Sequence, residues 1–534
     1  MPDKFNGITE YHDGLVTTDY VNMFPFGTTC VDRLGDRIES FPYWNDGENV
    51  RGCFIDSLDN VYIAMSTFIQ RWKYDRVADK LVYIGRMRCI STIRDDDDSR
   101  VVAEHDFELL NKNDEVTFCE SGIKPTLVFC CDGRYIYQWD TEVTNSVTER
   151  QPYLVNMMAL PGMIANFAYG EQPNVMDYFT QFHPEYYTPA NDGIAEISCI
   201  DWFDNKLVAV QKAKNTVWLT CTNPAQFYDN PSWAVDGSRR GLDEGTYPDL
   251  WHNWYASTNS ADKLVCAKAY AGQLYFFNSH SVEVWGRTGN EDSPIQSNTT
   301  QVIHFGGRNP VIVDNVLYFI ANRSTDDEFI AALTPQFLEV SNHEIERRLG
   351  KPTDLRVINQ RHETFLFVRY ADNGNGFLFL KGRWSSWVNP DAGTNPVYTS
   401  IVKDYAITKM GLPTRFDESI RTTNNGHHDP LPINRAIREG FQMFPRRVIF
   451  RRVYLVMDTG KTTEYDADPK IYVALSTNRG LSFSQRRFRT LGRDGHNNKE
   501  IEWRNLGSGN SVLMEVGASG GYKLQLYDMG ILAE

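Results

Sequence analysis

Long hydrophobic runs are missing from this 534-residue sequence. No window approaches 18 apolar residues, so we expect no transmembrane helix and no membrane insertion. The opening string, MPDKFNGITEYHDG, is polar and lacks the apolar core of a signal peptide. We therefore expect a protein that is made in a reducing cytoplasm.

Cysteines are few, and their spacing is not that of a metal site or a disulfide framework. There are nine, an odd number, with no CxxC motif, and Cys130 and Cys131 are adjacent. This usage predicts buried free thiols. The acidic run at 95–98 predicts a solvated turn, with a bound cation as the minor alternative, and Gly426–Pro430 predicts a loop. We expect no metal and no cofactor.

Signatures of catalysis are scarce. There is no HExxH motif, no P-loop and no dinucleotide fingerprint. The string STNRGLSF (Ser476–Phe483) is similar to the Asp-box turn of sialidase-type propellers, but Asn478 and Phe483 replace its Asp and Trp. We interpret Asn478 to Gly480 as a hairpin turn in which glycine supplies a positive φ. No spacing selects a catalytic set, and we expect that the protein is not an enzyme.

Amphipathic helical patterns are also rare. The best helical candidate is Pro335–Gly350, whose apolar residues could share one face. What the chain does contain is 13% aromatic residues within a 41% hydrophobic composition, which is typical of a folded sheet protein.

Five segments share one layout: an apolar strand, a turn of Gly, Asn or Asp, a second apolar strand and then a tryptophan. The turn residue precedes the tryptophan by 13 positions in three of them. A shortened version ends at Trp139, a stretched one ends at Trp384, and Pro310–Ser324 has the turn without the tryptophan. Repeated four-stranded units of this kind predict the blades of a β-propeller. The three regular turn and tryptophan pairs are Asp59 and Trp72, Asn205 and Trp218, and Gly272 and Trp285.

The predicted fold is therefore all-β, with a multi-bladed propeller of six or seven blades and long inserted loops. Residues 1–50 form an extended lead-in that packs on the body, and 51–435 form the propeller. Alternating strands between Gly-rich turns predict an antiparallel β-sandwich platform at 436–534, with one strand from the N-terminal segment as an option.

Two long loops, at about 140–198 and 219–265, are predicted to project from the propeller. Loops of this length usually carry contacts, and exposed rings are typical of interfaces. The alternative is that these rings pack back on the blade rims. The predicted partner-contact residues are Tyr178, Phe179, Phe182, Tyr186 and Tyr187.

Charge is unevenly distributed along the chain. The whole sequence carries −15, but residues 435–504 hold 15 Lys and Arg against 8 Asp and Glu, a net +7, which leaves −22 elsewhere. Such asymmetry indicates a partner of opposite charge, although solvated arginines on exposed strands are an equal alternative. The predicted interface residues are Arg446, Arg447, Arg451, Arg452, Arg486, Arg487 and Arg489.

Several strings occur in the order found in one protein family. They are DYVNMFPF (Asp19–Phe26), RIESFPYW (Arg37–Trp44), NSHSVEVWGRTGNEDSP (Asn278–Pro294), the following GGRNPVIVDNVLYFIANR, and WRNLGSGN near the end. In this order the sequence resembles the packaged-DNA-stabilisation proteins, the tail hub or nozzle proteins of short-tailed bacteriophages.

The resemblance implies a virion tail protein made in the cytoplasm of a bacterial host. It implies a homohexameric ring beneath the portal adaptor, the head-to-tail connector, with double-stranded DNA passing non-specifically through the lumen. It also implies attachment sites for tail fibres or spikes and for a tail plug or needle.

Two other functions fit the same residues. A carbohydrate-active propeller, sialidase-like or a depolymerase, would use the aromatic loops to stack on sugars. A generic propeller scaffold would bind other proteins. The oligomeric state in solution distinguishes the three functions, because only the tail hub requires a ring.

Overall fold

A computed structural model describes most of the chain. The described residues are 18–26, 29–37, 49–94, 100–109, 111–124, 126–141, 156–158, 197–211, 215–220, 253–256, 262–290, 293–298, 303–324, 327–334, 337–342, 345–347, 350–370, 375–389, 398–408, 411–417, 422–424, 430–441, 446–458, 469–478, 480–492, 499–520 and 522–534. The chain divides into two compact units: a first unit of residues 1–40, 311–320 and 326–534, and a second unit of residues 41–310 and 321–325.

The described secondary structure is almost entirely β. The strands up to residue 158 are β1 (Thr18–Val21), β2 (Met23–Phe26), β3 (Thr29–Asp32), β4 (Gly35–Arg37), β5 (Val50–Ile55), β6 (Asn60–Met65), β7 (Phe68–Asp75), β8 (Lys80–Arg86), β9 (Arg88–Arg94), β10 (Arg100–Asp106), β11 (Thr117–Glu120), β12 (Leu127–Cys131), β13 (Ile136–Asp140) and β14 (Asn156–Met158).

Twelve further strands lie between residues 197 and 339. They are β15 (Ile197–Phe203), β16 (Lys206–Gln211), β17 (Thr216–Leu219), β18 (Asn253–Ala256), β19 (Leu264–Tyr270), β20 (Gln273–Asn278), β21 (Val282–Arg287), β22 (Ile295–Ser297), β23 (Gly306–Val313), β24 (Val316–Ser324), β25 (Asp327–Leu333) and β26 (Phe337–Glu339).

The remaining strands run to the end of the chain. They are β27 (Asp354–Gln360), β28 (Glu363–Arg369), β29 (Gly376–Leu380), β30 (Arg383–Trp387), β31 (Ser400–Val402), β32 (Tyr405–Ile407), β33 (Pro413–Asp417), β34 (Thr422–Asn424), β35 (Pro430–Pro432), β36 (Asn434–Phe441), β37 (Val448–Met457), β38 (Lys470–Ser476), β39 (Arg487–Thr490), β40 (Lys499–Arg504), β41 (Ser508–Gly509), β42 (Val512–Ser519) and β43 (Gln525–Ala533).

The second unit contains four antiparallel four-stranded sheets, each built from strands consecutive in sequence. They are β5 to β8, β11 to β14, β15 to β18 and β19 to β22, and β9 and β10 form a separate hairpin. The first strands lie side by side in chain order, with β5 against β11, β11 against β15 and β15 against β19. This succession of first strands is the arrangement of propeller blades. In the first two blades the backbone segments lie so close that a Cβ on Gly52 would lie 2.1 Å from the backbone oxygen of Val116.

The predicted turn and tryptophan pattern has a physical basis in these sheets. Asp59, Asn205 and Gly272 adopt positive φ at the turns between first and second strands, with values of 63°, 60° and 75°. Glycine and asparagine tolerate this backbone region better than other residues. Each matching tryptophan lies on the third strand, where the indole nitrogen donates to a neighbouring side chain; Trp72, for example, donates to Gln70 at 3.0 Å.

Two further four-stranded groups lie in the first unit. Strands β27 to β30 form one, and β31 to β33 with β4 form the other, so the N-terminal segment supplies the fourth strand of the latter. Here Trp384 lies on the fourth strand rather than the third, which explains the stretched spacing in the sequence. One more sheet of four consecutive strands, β23 to β26, follows β19 to β22 in the sequence. The boundaries between the two units fall within this sheet.

The helix predicted at Pro335–Gly350 is wrong. Phe337–Glu339 instead forms β26, which pairs with β25, and among the described residues of this stretch 345–347 alone are helical. The Asn342 side chain accepts from the backbone NH of Ile345 at 2.9 Å and starts the turn as an N-cap. The edge of β25 offers three backbone pairings, and these outweigh the weak helical pattern.

The C-terminal part of the first unit is a two-sheet sandwich. One sheet has the order β27-β28-β29-β30-β1-β36-β42-β38-β39, and the other has the order β2-β3-β43-β37-β40 with β41 beside β37. Ile437 and Met514 from the first sheet pack with Phe450, Val453 and Leu526 from the second in one buried core. The all-β architecture with a C-terminal sandwich, predicted from sequence, is confirmed.

Among the described residues, no helix is long and apolar enough to cross a membrane. The described cysteines are unpaired thiols; all are buried except Cys199, which is partly exposed. Buried free thiols were predicted, and the adjacent Cys130 and Cys131 are among them.

Candidate functional site

The C-terminal sandwich is held to the N-terminal segment by a buried charge cluster. Asp32, at the end of β3, accepts from Arg435 at 2.9 Å and from Arg361 at 2.6 Å. Its carboxylate also accepts from the backbone NH of Leu524 at 2.9 Å. Because each carboxylate oxygen has a charged donor, the cost of burying Asp32 is offset by strong hydrogen bonds. This cluster fixes β36, β27 and β43 relative to β3.

Asn22 lies where three strands meet. It has a positive φ of 53°, and its side-chain nitrogen donates to the backbone oxygens of Val388 at 2.7 Å and Asn434 at 2.8 Å. Its side-chain oxygen accepts from the NH of Val388 and from the Arg33 guanidinium. The amide therefore joins the end of β30 to the start of β36.

One exposed surface lies where β37 begins and β43 ends. Ile449 and Glu534 exchange two backbone hydrogen bonds, so the two strand ends lie side by side. Ile449 is 50% exposed and Leu532 is 52% exposed, both large for apolar side chains. We call this surface the platform face; its residues are Arg446, Arg447, Ile449, Arg451 and Leu532.

The predicted interface arginines on the platform face are exposed and have different side-chain partners. Arg446 and Arg447 are exposed, and Arg447 donates to the Ser508 hydroxyl at 3.0 Å. Arg451 pairs with Glu534 at 3.0 Å, again at the surface. Exposed pairs of this kind contribute little to stability, so these guanidinium groups can exchange partners readily.

Arg452 lies beside the platform face but is more constrained. It pairs with Glu500 and, at 3.1 Å, with Glu502 on β40, and its guanidinium carbon lies 5.6 Å from the ring centre of Tyr454. Arg504 also pairs with Glu502, at 2.7 Å. These acidic residues neutralise much of the positive charge that the sequence predicted here.

The side chains of Arg487 and Arg489 donate hydrogen bonds to backbone oxygens of the same protein. β39 is an edge strand of one sheet and β40 is an edge strand of the other. Arg487 donates to the backbone oxygens of Arg504 and Asn505, and Arg489 donates to that of Glu502. In return, the indole of Trp503 donates to the backbone oxygen of Arg487 at 2.9 Å. These side chains join two open sheet edges, a role that the sequence did not indicate.

Arg486 belongs to a third environment, on the outer side of the nine-stranded sheet. Its guanidinium lies 4.3 Å from the ring centre of Tyr472 and 3.7 Å from Glu515. Glu515 is buried, and it also accepts from Tyr472 and from Arg438 at 2.8 Å. Burial, followed by the Glu515 charge, raises the pKa of Tyr472 to about 12. The structure thus distributes the seven predicted arginines over three neighbourhoods.

Glu439 is a perturbed acid in the sandwich. It lies on β36 opposite Thr18 of β1. Burial, with repulsion from Asp528 as a smaller cause, raises the pKa of Glu439 to about 7. The sequence around Glu439 carries no signal of this burial, since the burial comes from a fold that pairs distant strands.

The remaining sequence predictions have mixed outcomes. The hairpin turn at Ser476–Phe483 is confirmed: Gly480 has a φ of 81° and the Asn478 side chain accepts from the NH of Ser482 at 3.0 Å. The string GASGG at 517–521 fits the GxSxG pattern of serine hydrolases, in which the serine lies on a turn between a strand and a helix, but here Ser519 ends an antiparallel strand. The described part of the chain has no cluster of three potential metal ligands.

Most of the two predicted loops lies outside the described residues, but each contains a described strand, β14 or β18, that is the fourth strand of a blade. The predicted contact residues themselves are not described. This applies to Tyr178, Phe179, Phe182, Tyr186 and Tyr187 and to the acidic run at 95–98.

The described sheets define a β-propeller protein with an added sandwich, and comparison with known proteins agrees with that class. Residues 241–370 match the model of the Phage_stabilise family, described as Bacteriophage P22 Gp10, beta-propeller. The match confirms, over those residues, the resemblance drawn from the order of sequence motifs. No curated protein matches the sequence.

Solved structures show weaker likenesses. A crystal structure of BBS1N in complex with ARL6DN, soaked with lead, is 12% identical, covers 72% of this chain and 97% of its own, and gives a TM-score of 0.35. The β-propeller domain of Cps50 (Swd1) from Myceliophteria thermophila is 9% identical, covers 70% of this chain and 100% of its own, and gives 0.32. TM-scores and sequence identities this low support no conclusion about function.

Proposed function

We propose that this chain is a structural, non-enzymatic virion protein that forms a tail hub or nozzle ring below the portal adaptor of a short-tailed phage. The observation that carries the proposal is the match of residues 241–370 to the Bacteriophage P22 Gp10 propeller family. In this role the homohexamer retains packaged DNA and forms the channel through which the genome leaves. Fibres or spikes, and a plug or needle, attach to its outer loops.

The negative charge of the chain supports a channel that binds DNA weakly and lets it slide. The chain carries −22 outside residues 435–504. Duplex affinity grows with each phosphate that a protein neutralises, so an acidic lumen would bind DNA weakly and let it pass.

The platform face supports docking to the adaptor. It combines two exposed apolar side chains, Ile449 and Leu532, with arginines whose present partners are exposed or neutral. Apolar contacts supply affinity, and arginines select an acidic partner and speed the encounter. In a cyclic ring each subunit uses two different faces, so the platform face can serve the adaptor while other surfaces serve the ring.

Mass photometry of the purified chain, alone and with its candidate adaptor, followed by negative-stain imaging, tests the proposal. Six-fold rings, alone or on the adaptor, are expected. A monomer that ignores the adaptor would overturn it, and glycan hydrolysis assays would then test the carbohydrate-active alternative.

The platform face is tested separately by reversing Arg446, Arg447 and Arg451 to Glu. We expect docking at physiological salt to be lost while the circular dichroism spectrum is unchanged. Arg76→Glu, which reverses an exposed arginine in the first blade, is the control. Docking that survives the triple reversal means that the adaptor binds elsewhere.

A further inference from the structure

Two cysteines occupy equivalent positions on neighbouring first strands of the second unit. Cys199 pairs with Val210 across β15 and β16, and Cys266 pairs with Phe277 across β19 and β20. In both strands the cysteine directly follows a register shift. Since β15 and β19 lie against each other, the equivalent positions face the same boundary between two blades.

The Cys199 thiol touches the backbone next to Cys266. The NH of Ala267 donates to the Cys199 sulfur at 3.3 Å, and the same sulfur lies 3.9 Å from the Ala267 oxygen. The Ala267 nitrogen is bonded to the carbonyl carbon of Cys266, so the Cys199 sulfur lies beside the Cys266 backbone. From this position, side-chain rotation can bring the two sulfurs to bonding distance.

Exposure favours attack by Cys199. Cys199 is the partly exposed member of the pair and Cys266 is buried, so an oxidant in solution reaches Cys199 first. Interaction with Cys199, followed by burial, raises the pKa of the Cys266 thiol, which suits a second thiol that reacts only after the first.

We propose that Cys199 and Cys266 are a redox-active dithiol that oxidises to a disulfide across the boundary between the third and fourth blades. With oxidised glutathione as the oxidant, the Cys199 thiolate attacks one glutathione sulfur, forms a mixed disulfide and releases one reduced glutathione. Cys266 then attacks the Cys199 sulfur, loses its proton and releases the second glutathione. Two protein thiols are oxidised by two electrons, and one glutathione disulfide is reduced to two thiols.

The test uses the full chain incubated with oxidised glutathione at mildly alkaline pH. Remaining thiols are alkylated, and the digested protein is analysed by mass spectrometry. We expect a linked peptide pair containing Cys199 and Cys266, with seven of the nine thiols left for alkylation. Because the bond closes a long loop, the oxidised protein should melt several degrees higher than the reduced one.

Two variants separate the roles. Cys266→Ser should accumulate one glutathione on Cys199, and Cys199→Ser should take up neither glutathione nor a disulfide at Cys266. Cys131→Ser, which removes a buried thiol from the neighbouring blade, is the matched control and should still form the bond. Folding of each variant is checked by circular dichroism, and the wild-type peptide map stands even where a variant does not fold. A native protein in which both thiols alkylate after oxidation, or in which either pairs with a different cysteine, overturns the proposal.

Discussion

The carboxylate of Asp32 lies 2.9 Å from the guanidinium of Arg435, and both side chains are fully buried although 403 positions separate them in sequence. Removing one member of such a pair leaves the other charge buried without compensation. We expect Asp32→Asn to lower the free energy of unfolding by about 3–5 kcal/mol in chemical denaturation. The exposed pair of Arg76 and Asp59 is the comparison; Arg76→Ala should cost less than about 1 kcal/mol.

The raised pKa of Glu439 makes stability depend on pH. The folded state binds the Glu439 proton more tightly than the unfolded chain does, so its stabilising contribution is complete below pH 4.5 and is lost as pH rises through about 7. We expect Glu439→Gln to flatten this decline and to be more stable than the wild type by about 2 kcal/mol at pH 8. Denaturation midpoints measured from pH 5 to pH 8 test this. Glu363→Gln, which removes a carboxylate from a surface ion pair with Lys381, is the control substitution.

Removing the side chains that join the two sheet edges should expose both edges. In a double variant, Arg487→Ala and Arg489→Ala, the backbone oxygens of Glu502 and Arg504 on β40, and of Asn505 just after it, lose their charged donors. We expect a loss of about 1–2 kcal/mol and faster aggregation on heating, measured by light scattering. Arg446→Ala, which removes an exposed arginine from the platform face, should do neither; equal aggregation of the two proteins would contradict this role.

Close approach of the first two blades predicts sensitivity at Gly52. An added methyl group would meet the backbone oxygen of Val116, which cannot rotate away. We expect Gly52→Ala to destabilise the protein by about 2 kcal/mol or more. Gly286→Ala is the matched control, because a Cβ there meets nothing within 4 Å. Similar melting temperatures for the two variants would show that β5 and β11 are not so tightly packed.

Local patterns in the sequence were sufficient to predict the blades. A positive-φ turn followed at a fixed distance by a tryptophan reflects contacts within one sheet, where strands are consecutive in sequence. The sequence allowed one N-terminal strand in the sandwich, but the position of β1 between β30 and β36 could not be predicted, since backbone pairing across hundreds of residues leaves no periodic trace. The roles of the arginines were hidden for the same reason: Arg487 and Arg446 look alike in sequence, and only the meeting of β39 with β40 distinguishes them.

The pairing of β1 also sets the delay between the synthesis of this strand and the synthesis of its partner strands. Val21 emerges early, but its partners Ser386 and Ala436 are added roughly 400 residues later. At about 5–20 residues per second, this delay is roughly 20–80 s. All four complete sheets of the second unit lie within that interval of the sequence. They can therefore form on the ribosome while the N-terminal strand is still unpaired, and the sandwich closes only near the end of synthesis.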